Sequence, residues 1–369
     1  MTDARCQAQD QTAVCAVTAE LPTSPGFQVR ALLPASALRD HGVDVTPMTL
    51  LSVAEGQQFE RARTAMQLRL VMSGRRRLRS RLDQMRQRFA VALIYRRADL
   101  LPSLALERAA MDDHRLVFDV DDAIWLDGQR GTGTRPLARL KGSARKAHWL
   151  AARADHVIAG NTILAEQLSE FSDVVTVIPS MVDTASIPLI AHTDRSEVTL
   201  CWIGSRSTAR FLEAIRPTLG RLARAVADVR LRLLIVGGSM APIDGVRIEQ
   251  EPWSEQAQRR ALAQLDIGLM PLRDTPWNRG KCAYKALLYM AAGAPVVADD
   301  VGIARQVIGH DRAGYVVRGE EEWTEALVAL TRDHTLRQRL GRAGRARVER
   351  DFSVVRWVPK LAALLSGLG

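Results

Sequence analysis

Short apolar runs alternate along the chain with longer amphipathic stretches. TAVCAVTAEL reads as a strand, LPTSPG as a loop, and VRALLPASALRDHG as a helix with Pro34 in its first turns or at a break. VDVTPMTL follows as a second strand. VALIYRR, RLVFDVDDAIW, HVIAGN and VVTVIPS are further short runs, each leading into a helical or loop segment. Strand and helix alternating over this length predict an α/β fold with parallel sheet.

The pattern then restarts. VTLCWIGS is a strand ending in Gly-Ser, and TARFLEAIRPTLGRLARAV is predicted as one helix. RLRLLIVGG, VRIEQEPW, IGLMPL and APVVADD complete a second set of strands, with SEQAQRRALAQL and GKCAYKALLYMAAG as helices between them. MVDTASIPLIAHTDRSE is polar, contains proline and has no clear periodicity. We place a domain boundary at Ser186, giving domains of residues 1–185 and 186–352. Residues 353–369 form a C-terminal helix expected to pack back towards the first domain. The preceding tail, EEEWTEALVALTRD and HTLRQRLGRAGRARVERDFS, is helical and charged.

A chain of 369 residues is too long for one ordinary core, which agrees with two domains. The net charge of +10 favours anionic partners: nucleotides, nucleic acid or an anionic membrane surface. No run of about 18 apolar residues is present, so no bilayer-spanning helix is expected. The opening MTDARCQAQDQ is polar rather than basic and then apolar, so a cytoplasmic location is expected. Cys6, Cys15, Cys201 and Cys282 are scattered and make neither a zinc motif nor a disulfide framework. The histidines show no metal-ligand spacing, so no metal is expected.

GRRRLRSRLDQMRQRF, Gly74 to Phe89, carries Leu78, Leu82, Met85 and Phe89 at helical spacing with arginines between them. It reads either as a solvated helix packed on its own domain or as a helix that meets anionic lipid or an anionic acceptor. The arginines from Arg75 to Arg88 would then hold the chain on the inner face of a membrane.

Two strand ends carry chemistry, because ligands of open parallel sheets sit beyond the carboxyl ends of strands. At the first, Gly204 permits close backbone approach. Ser205, Ser207 and Thr208 offer hydroxyls, and Arg206 can grip a phosphate. Ser207 or Thr208 is equally readable as a helix cap. At the second, IGLMPLRDTPWNRGKC leads into a helix predicted to begin near Gly280. Lys281 and Lys285 then stand at a helix N-terminus, where the dipole disfavours cations unless an anion joins them. A diphosphate is such an anion. No Walker motif is present. Trp125, Trp253 and Trp277 can stack on a base or acceptor, or fill core.

GKCAYKALLYMAAGAPVVADDVG resembles the donor-site segment of bacterial GT-B glycosyltransferases of the large retaining group called family four. WIGSRST, DIGLMPL, FDVDDAIW and LRQRLGRAGRARVERDFS follow the same pattern, from about Val29 to Phe352. The resemblance implies GT-B architecture: two Rossmann-like domains with parallel sheets facing a central cleft. The first would bind the acceptor and the second a nucleotide-diphosphate sugar, with no metal or other cofactor. Cationic side chains and helix dipoles would stabilise the leaving diphosphate. It implies a donor site of Gly26, Gly204, Ser205, Arg206, Ser207, Lys281, Cys282, Tyr284 and Lys285. Arg30, Asp121, Asp122 and Asn161 would lie on the acceptor side. Asp121, Asp122, Arg206 and Lys281 would carry the chemistry. Many members hold a Glu-x7-Glu pair across this helix; here Gly280 and Leu288 stand in its place.

The expected function is therefore a hexosyltransferase-like enzyme acting on an acceptor hydroxyl, in glycan, polysaccharide or glycosylated natural-product synthesis. Its partners would be a nucleotide sugar, a glycan, lipid-linked or small-molecule acceptor, and an anionic membrane surface; nucleic acid is not expected. The alternatives are a nucleotide-sugar epimerase on the same fold and a non-catalytic binder of anions or nucleic acid.

Overall fold

The structure, a computed structural model, describes residues 11–129, 142–194, 196–309 and 312–369; Cys6 lies outside them. The chain forms two compact units: Met1–Met181 with Gly280–Cys282 and Val354–Gly369, and Val182–Arg279 with Ala283–Ser353. The division thus falls at Val182 rather than Ser186, and the tripeptide Gly280–Cys282 goes with the first unit.

Six parallel strands form the first sheet: β1 (Thr12–Thr18), β2 (Val43–Thr49), β3 (Val91–Tyr95), β4 (Arg115–Val120), β5 (His156–Ala159) and β6 (Val175–Val177). Their order is β2-β1-β3-β4-β5-β6. β1 and β3 are buried on both faces, as parallel strands covered by crossover helices must be. The C-terminal helix Val354–Ser366 packs on this unit. Leu361 and Leu365 join Phe27, Leu38, Val45 and Val91 in one core. The segment around Pro34 is a π-helical turn, Gln28–Leu32, followed by the helix Leu33–Arg39 with proline in its first turn. Proline has no N–H for the helical ladder, and the first turn is where that costs least.

The second unit repeats the plan with β7 (Glu197–Ile203), β8 (Arg230–Val236), β9 (Val246–Glu251), β10 (Ile267–Met270), β11 (Val296–Asp299) and β12 (Gly314–Val317). The order is β12-β11-β10-β7-β8-β9, all parallel. β12 has no counterpart in the sequence reading. The single helix predicted after β7 is two, Arg206–Ala214 and Arg216–Ala225, because Pro217 opens the second. The helix predicted from Gly280 begins at Tyr284 instead. Ala283 before it is left-handed, with φ 51°, which stops helical backbone from reaching further upstream.

Strand order reverses between β1 and β3 in the first sheet and between β10 and β7 in the second. Those two switch points open crevices beyond the strand ends.

Candidate active site

In the first unit, Arg96 follows β3 and Asp121-Asp122 follow the neighbouring β4. Arg96 Nε donates to Asp121 Oδ1 at 2.7 Å and Nη2 to Asp122 Oδ2 at 2.7 Å. The Tyr95 hydroxyl donates to Asp121 Oδ1 at 2.8 Å. Glu20, beyond β1, lies 3.9 Å from Arg96 and 3.5 Å from Arg97. Burial works against the Arg96 charge, but Asp121, Tyr95 and Asp122 outweigh it and hold the guanidinium well above its ordinary range. Gly26 is a glycine for space: a Cβ there would stand 2.1 Å from the Tyr95 hydroxyl and 3.3 Å from Asp121 Oδ2. Gly26 thus packs on the carboxylate cluster of its own unit.

Arg30, expected on the acceptor side, is buried instead. Its Nη2 and Nε donate to Asp119 Oδ1 at 2.6 and 3.1 Å, and its Nη1 to the Ile178 carbonyl at 2.7 Å. It ties the first helix to β4. Burial pushes the Asp119 carboxyl up to about 6, against the pull of Arg30.

Asn161 follows β5 and caps the helix Thr162–Leu168 by accepting from Leu164 N at 2.9 Å. Its Nδ2 donates to the Gly280 carbonyl at 2.9 Å and to Cys282 Sγ at 3.3 Å. Cys282 in turn donates to the Asp121 carbonyl at 3.2 Å. Burial, aided by Asp121, pushes this thiol up to about 12. Cys282, expected among the diphosphate ligands, is therefore an internal strut, and so is Asn161. Lys281 Nζ lies 3.4 Å from Asp122 Oδ1. The two lysines read as a pair thus have different partners.

Lys285, the second residue of the helix Tyr284–Ala291, belongs to the second unit. Its Nζ sits 4.3 Å above the Trp202 ring and donates to Thr208 Oγ1 at 3.4 Å. Trp202 is fully buried at the end of β7. A Cβ on Gly204 would fall 2.4 Å from that ring and 2.6 Å from Lys285 Nζ. Ser205 begins the turn into the helix Arg206–Ala214, with its N–H donating to Thr208 Oγ1 at 3.2 Å. The side chains of Arg206 and Ser207 lie outside the described ones. Tyr284 is half-buried at the helix start. Ile203 N donates to the Tyr289 hydroxyl at 2.8 Å, which fastens this helix to the end of β7. This cluster places a cation and a helix N-terminus at the switch-point side of β7, an arrangement that receives anions.

Sequence reasoning did not single out Arg96, Tyr95, Glu20 or Trp202. YRR at the end of an apolar run was the available signal, by the rule that ligands sit beyond strand ends. Of the tryptophans it did name, Trp277 is buried, while Trp125 and Trp253 bond Gln167 and Gln258.

The basic stretch lies on the helix Thr64–Met85 and the short turn Arg86–Arg88, with Leu78 and Leu82 inward. Much of its charge is paired: Arg75 with Asp99, Arg77 with Glu55, Arg79 with Asp83, and Arg86 with Asp112 and Asp113. Leu68 and Met72 on the same helix are 51% and 40% exposed. Among the described residues no helix is long and apolar enough to cross a membrane, and no three His, Cys, Asp or Glu side chains form a metal-binding group.

Residues 197–333 match the family model described as "Glycosyl transferases group 1". No curated protein matches the sequence. Among solved structures, the fold is similar to sucrose-phosphate synthase from Thermosynechococcus elongatus, with TM-score 0.70 and 14% identity over 97% of this chain and 99% of that one. It is also similar to Anabaena Alr3699/HepE, solved with UDP and glucose, with TM-score 0.67 and 15% identity over 97% of this chain and 100% of that one. A glycosyltransferase from Rickettsia africae gives TM-score 0.61 at 13% identity, over 97% and 99%. The two six-stranded parallel sheets are thus those of the GT-B architecture. The chain is a glycosyltransferase of this fold, with residues 197–333 in the glycosyl transferases group 1 family.

Proposed function

We propose that the protein moves a sugar from a UDP-sugar to a hydroxyl of a glycan, lipid-linked or small-molecule acceptor, with retention and without a metal ion. The observation that carries this reading is the Lys285–Trp202–Thr208 cluster beside Gly204, at the start of the helix Arg206–Ala214. Breaking the bond from the anomeric carbon to the phosphate oxygen leaves an extra negative charge on the departing diphosphate. A preorganised ammonium and the positive end of a helix stabilise that charge more than they stabilise the ground state. Arg206 and Ser207 are the further diphosphate donors of the reading. UDP is the favoured nucleotide because HepE was solved with UDP and with UDP-glucose.

Asp121 and Asp122 are the groups of the first unit suited to accept a hydrogen bond from an acceptor hydroxyl, since both keep some exposure, 12% and 16%. The reading places the enzyme in the cytoplasm, in polysaccharide or natural-product glycosylation. A peripheral membrane position is favoured by exposed Leu68 and Met72 beside Arg69 and Arg76.

Calorimetry with UDP and UDP-glucose tests the donor site. Replacing a charged hydrogen-bond donor costs about 1.5–3 kcal/mol, so Lys285→Ala should bind roughly 10–150-fold more weakly. Equal affinity of Lys285→Ala and wild type would remove the donor assignment. Transfer should persist in EDTA; strict dependence on manganese would refute the metal-free part.

A further inference from the structure

Arg96 stands at the reversal point of the first sheet, beyond β3 and next to the end of β1. Its backbone is unusual. With φ 60° it is a left-handed arginine, and Arg97 N–H donates to the Tyr95 carbonyl at 2.7 Å around it. That is a three-residue turn of the rare, strained kind. Such strain persists where the surroundings impose it, and it concentrates at functional positions. Arg96 N–H also donates to the Asp119 carbonyl at 2.9 Å, which locks the turn to β4.

The turn delivers one planar fork to two carboxylates. Nε and Nη2 both lie 2.7 Å from Asp121 Oδ1, and Nη2 also donates to Asp122 Oδ2 at 2.7 Å, so it bridges the two carboxylates. The opposite oxygen of Asp122 faces Lys281, and Asp121 has a second donor in Tyr95. Adjacent carboxylates repel and, left alone, would turn apart or take up a proton. A guanidinium between them fixes their spacing as well as their charge, which a single ammonium cannot do. The Arg96 guanidinium also lies 5.1 Å from the Tyr95 ring centre.

We propose that Arg96 is a positioning residue for sugar transfer: its guanidinium holds Asp121 and Asp122 in the one orientation that receives the acceptor hydroxyl. The proposal rests on the reading that these carboxylates act on the acceptor. It requires that the loss of Arg96 spare donor binding and impair turnover with acceptor.

Arg96→Gly is the informative variant, because glycine adopts the left-handed backbone without strain. Arg96→Lys keeps the charge and loses the fork; it also serves if the glycine variant fails to fold by circular dichroism. Both should bind UDP within about twofold of wild type, since a mispositioned group affects the chemical step and not remote binding. The kcat of Arg96→Gly should fall on the order of 100-fold, with Arg96→Lys little better. Guanidinium chloride at non-denaturing concentration should restore turnover to Arg96→Gly and leave wild type unaffected. An active wild type with both variants within threefold of its kcat would overturn this inference alone, as would loss of activity without guanidinium rescue in a folded Arg96→Gly. A wild-type protein that neither binds nor consumes a nucleotide sugar would overturn the transferase reading and this inference with it.

Discussion

Gly280 occupies a position where the resembled enzymes carry a carboxylate, and its surroundings say what putting a side chain back would do. A Cβ at Gly280 would lie 2.9 Å from Ala123 Cβ, 3.1 Å from Leu164 Cδ2 and 3.3 Å from Ala123 N. Its φ is outside the left-handed region, so glycine is there for space and not for backbone freedom. Ala123 and Leu164 are fully buried, and Leu164 sits in the turn that Asn161 caps. Neither neighbour can withdraw cheaply. Overpacking of this kind costs about 1–3 kcal/mol. Losing a glycine also stiffens the unfolded chain, worth roughly 0.4–1 kcal/mol in the other direction. Gly280→Ala should therefore lose roughly 0.5–2.5 kcal/mol net. At about 2–4 °C per kcal/mol for a unit of this size, Tm should drop by roughly 1–10 °C. Gly280→Glu should fall further, because it adds a charge beside buried apolar groups and strains the 2.9 Å bond from Asn161 to the Gly280 carbonyl. Thermal melts and UDP-sugar turnover measured together decide the matter. A Gly280→Glu protein that melts with wild type and turns over faster would show that the space exists and that a vacated carboxylate site is the correct description.

Lys146 and Glu107 form a buried pair at 2.6 Å. Lys146→Met should cost about 3–5 kcal/mol, and adding Glu107→Leu should recover most of it; a single variant as stable as wild type in urea titration would refute this. Burial already holds Glu107 above its ordinary carboxylate range against Lys146. In Lys146→Met the unfolded chain therefore ionises first, and the deficit should grow as pH rises above the ordinary carboxylate range. On the helix Thr64–Met85, Leu68→Ser with Met72→Ser should reduce sedimentation with phosphatidylglycerol vesicles at low salt; unchanged sedimentation would leave this helix a plain solvent face.

Most strands were legible because parallel strands covered on both faces are continuous apolar runs, as Val14–Val17 and Leu93–Tyr95 illustrate. β12, Gly314–Val317, was missed although it is no shorter than β10 and β11, because it follows no helix of clear periodicity. The aspartates at the end of β4 were legible through the family resemblance, and Arg96 was available by the strand-end rule after β3. The lysines misled. Their spacing suits one helix turn, but Ala283 turns left-handed between them, and nothing in the type of that residue announces it. Trp202 was read only as part of a strand and of the WIGSRST motif, with no role of its own. Its role beneath Lys285 depends on Gly204 and Gly238, whose added Cβ atoms would stand within 2.4 and 2.6 Å of the ring. That is a matter of two glycines from different strand ends meeting one ring, which no local pattern encodes.

The two missing carboxylates then have a common physical cause. Gly280 has no room for a side chain, and Leu288 is buried inside the helix Tyr284–Ala291, 3% exposed among apolar neighbours. An ionised side chain at 288 would need a partner to offset its desolvation, so leucine is the stable choice at that point. Both replacements are thus packing solutions and leave the cationic cluster untouched. Lys285, Thr208 and the start of the helix Arg206–Ala214 still present charge at the end of β7. On the proposed reading, a diphosphate would be held by groups that need no carboxylate, and recognition of the ribose and the sugar would have to come from backbone and side chains elsewhere on the strand ends. Selectivity for the sugar should accordingly respond to substitutions outside positions 280 and 288, whereas affinity for the nucleotide diphosphate should follow Lys285.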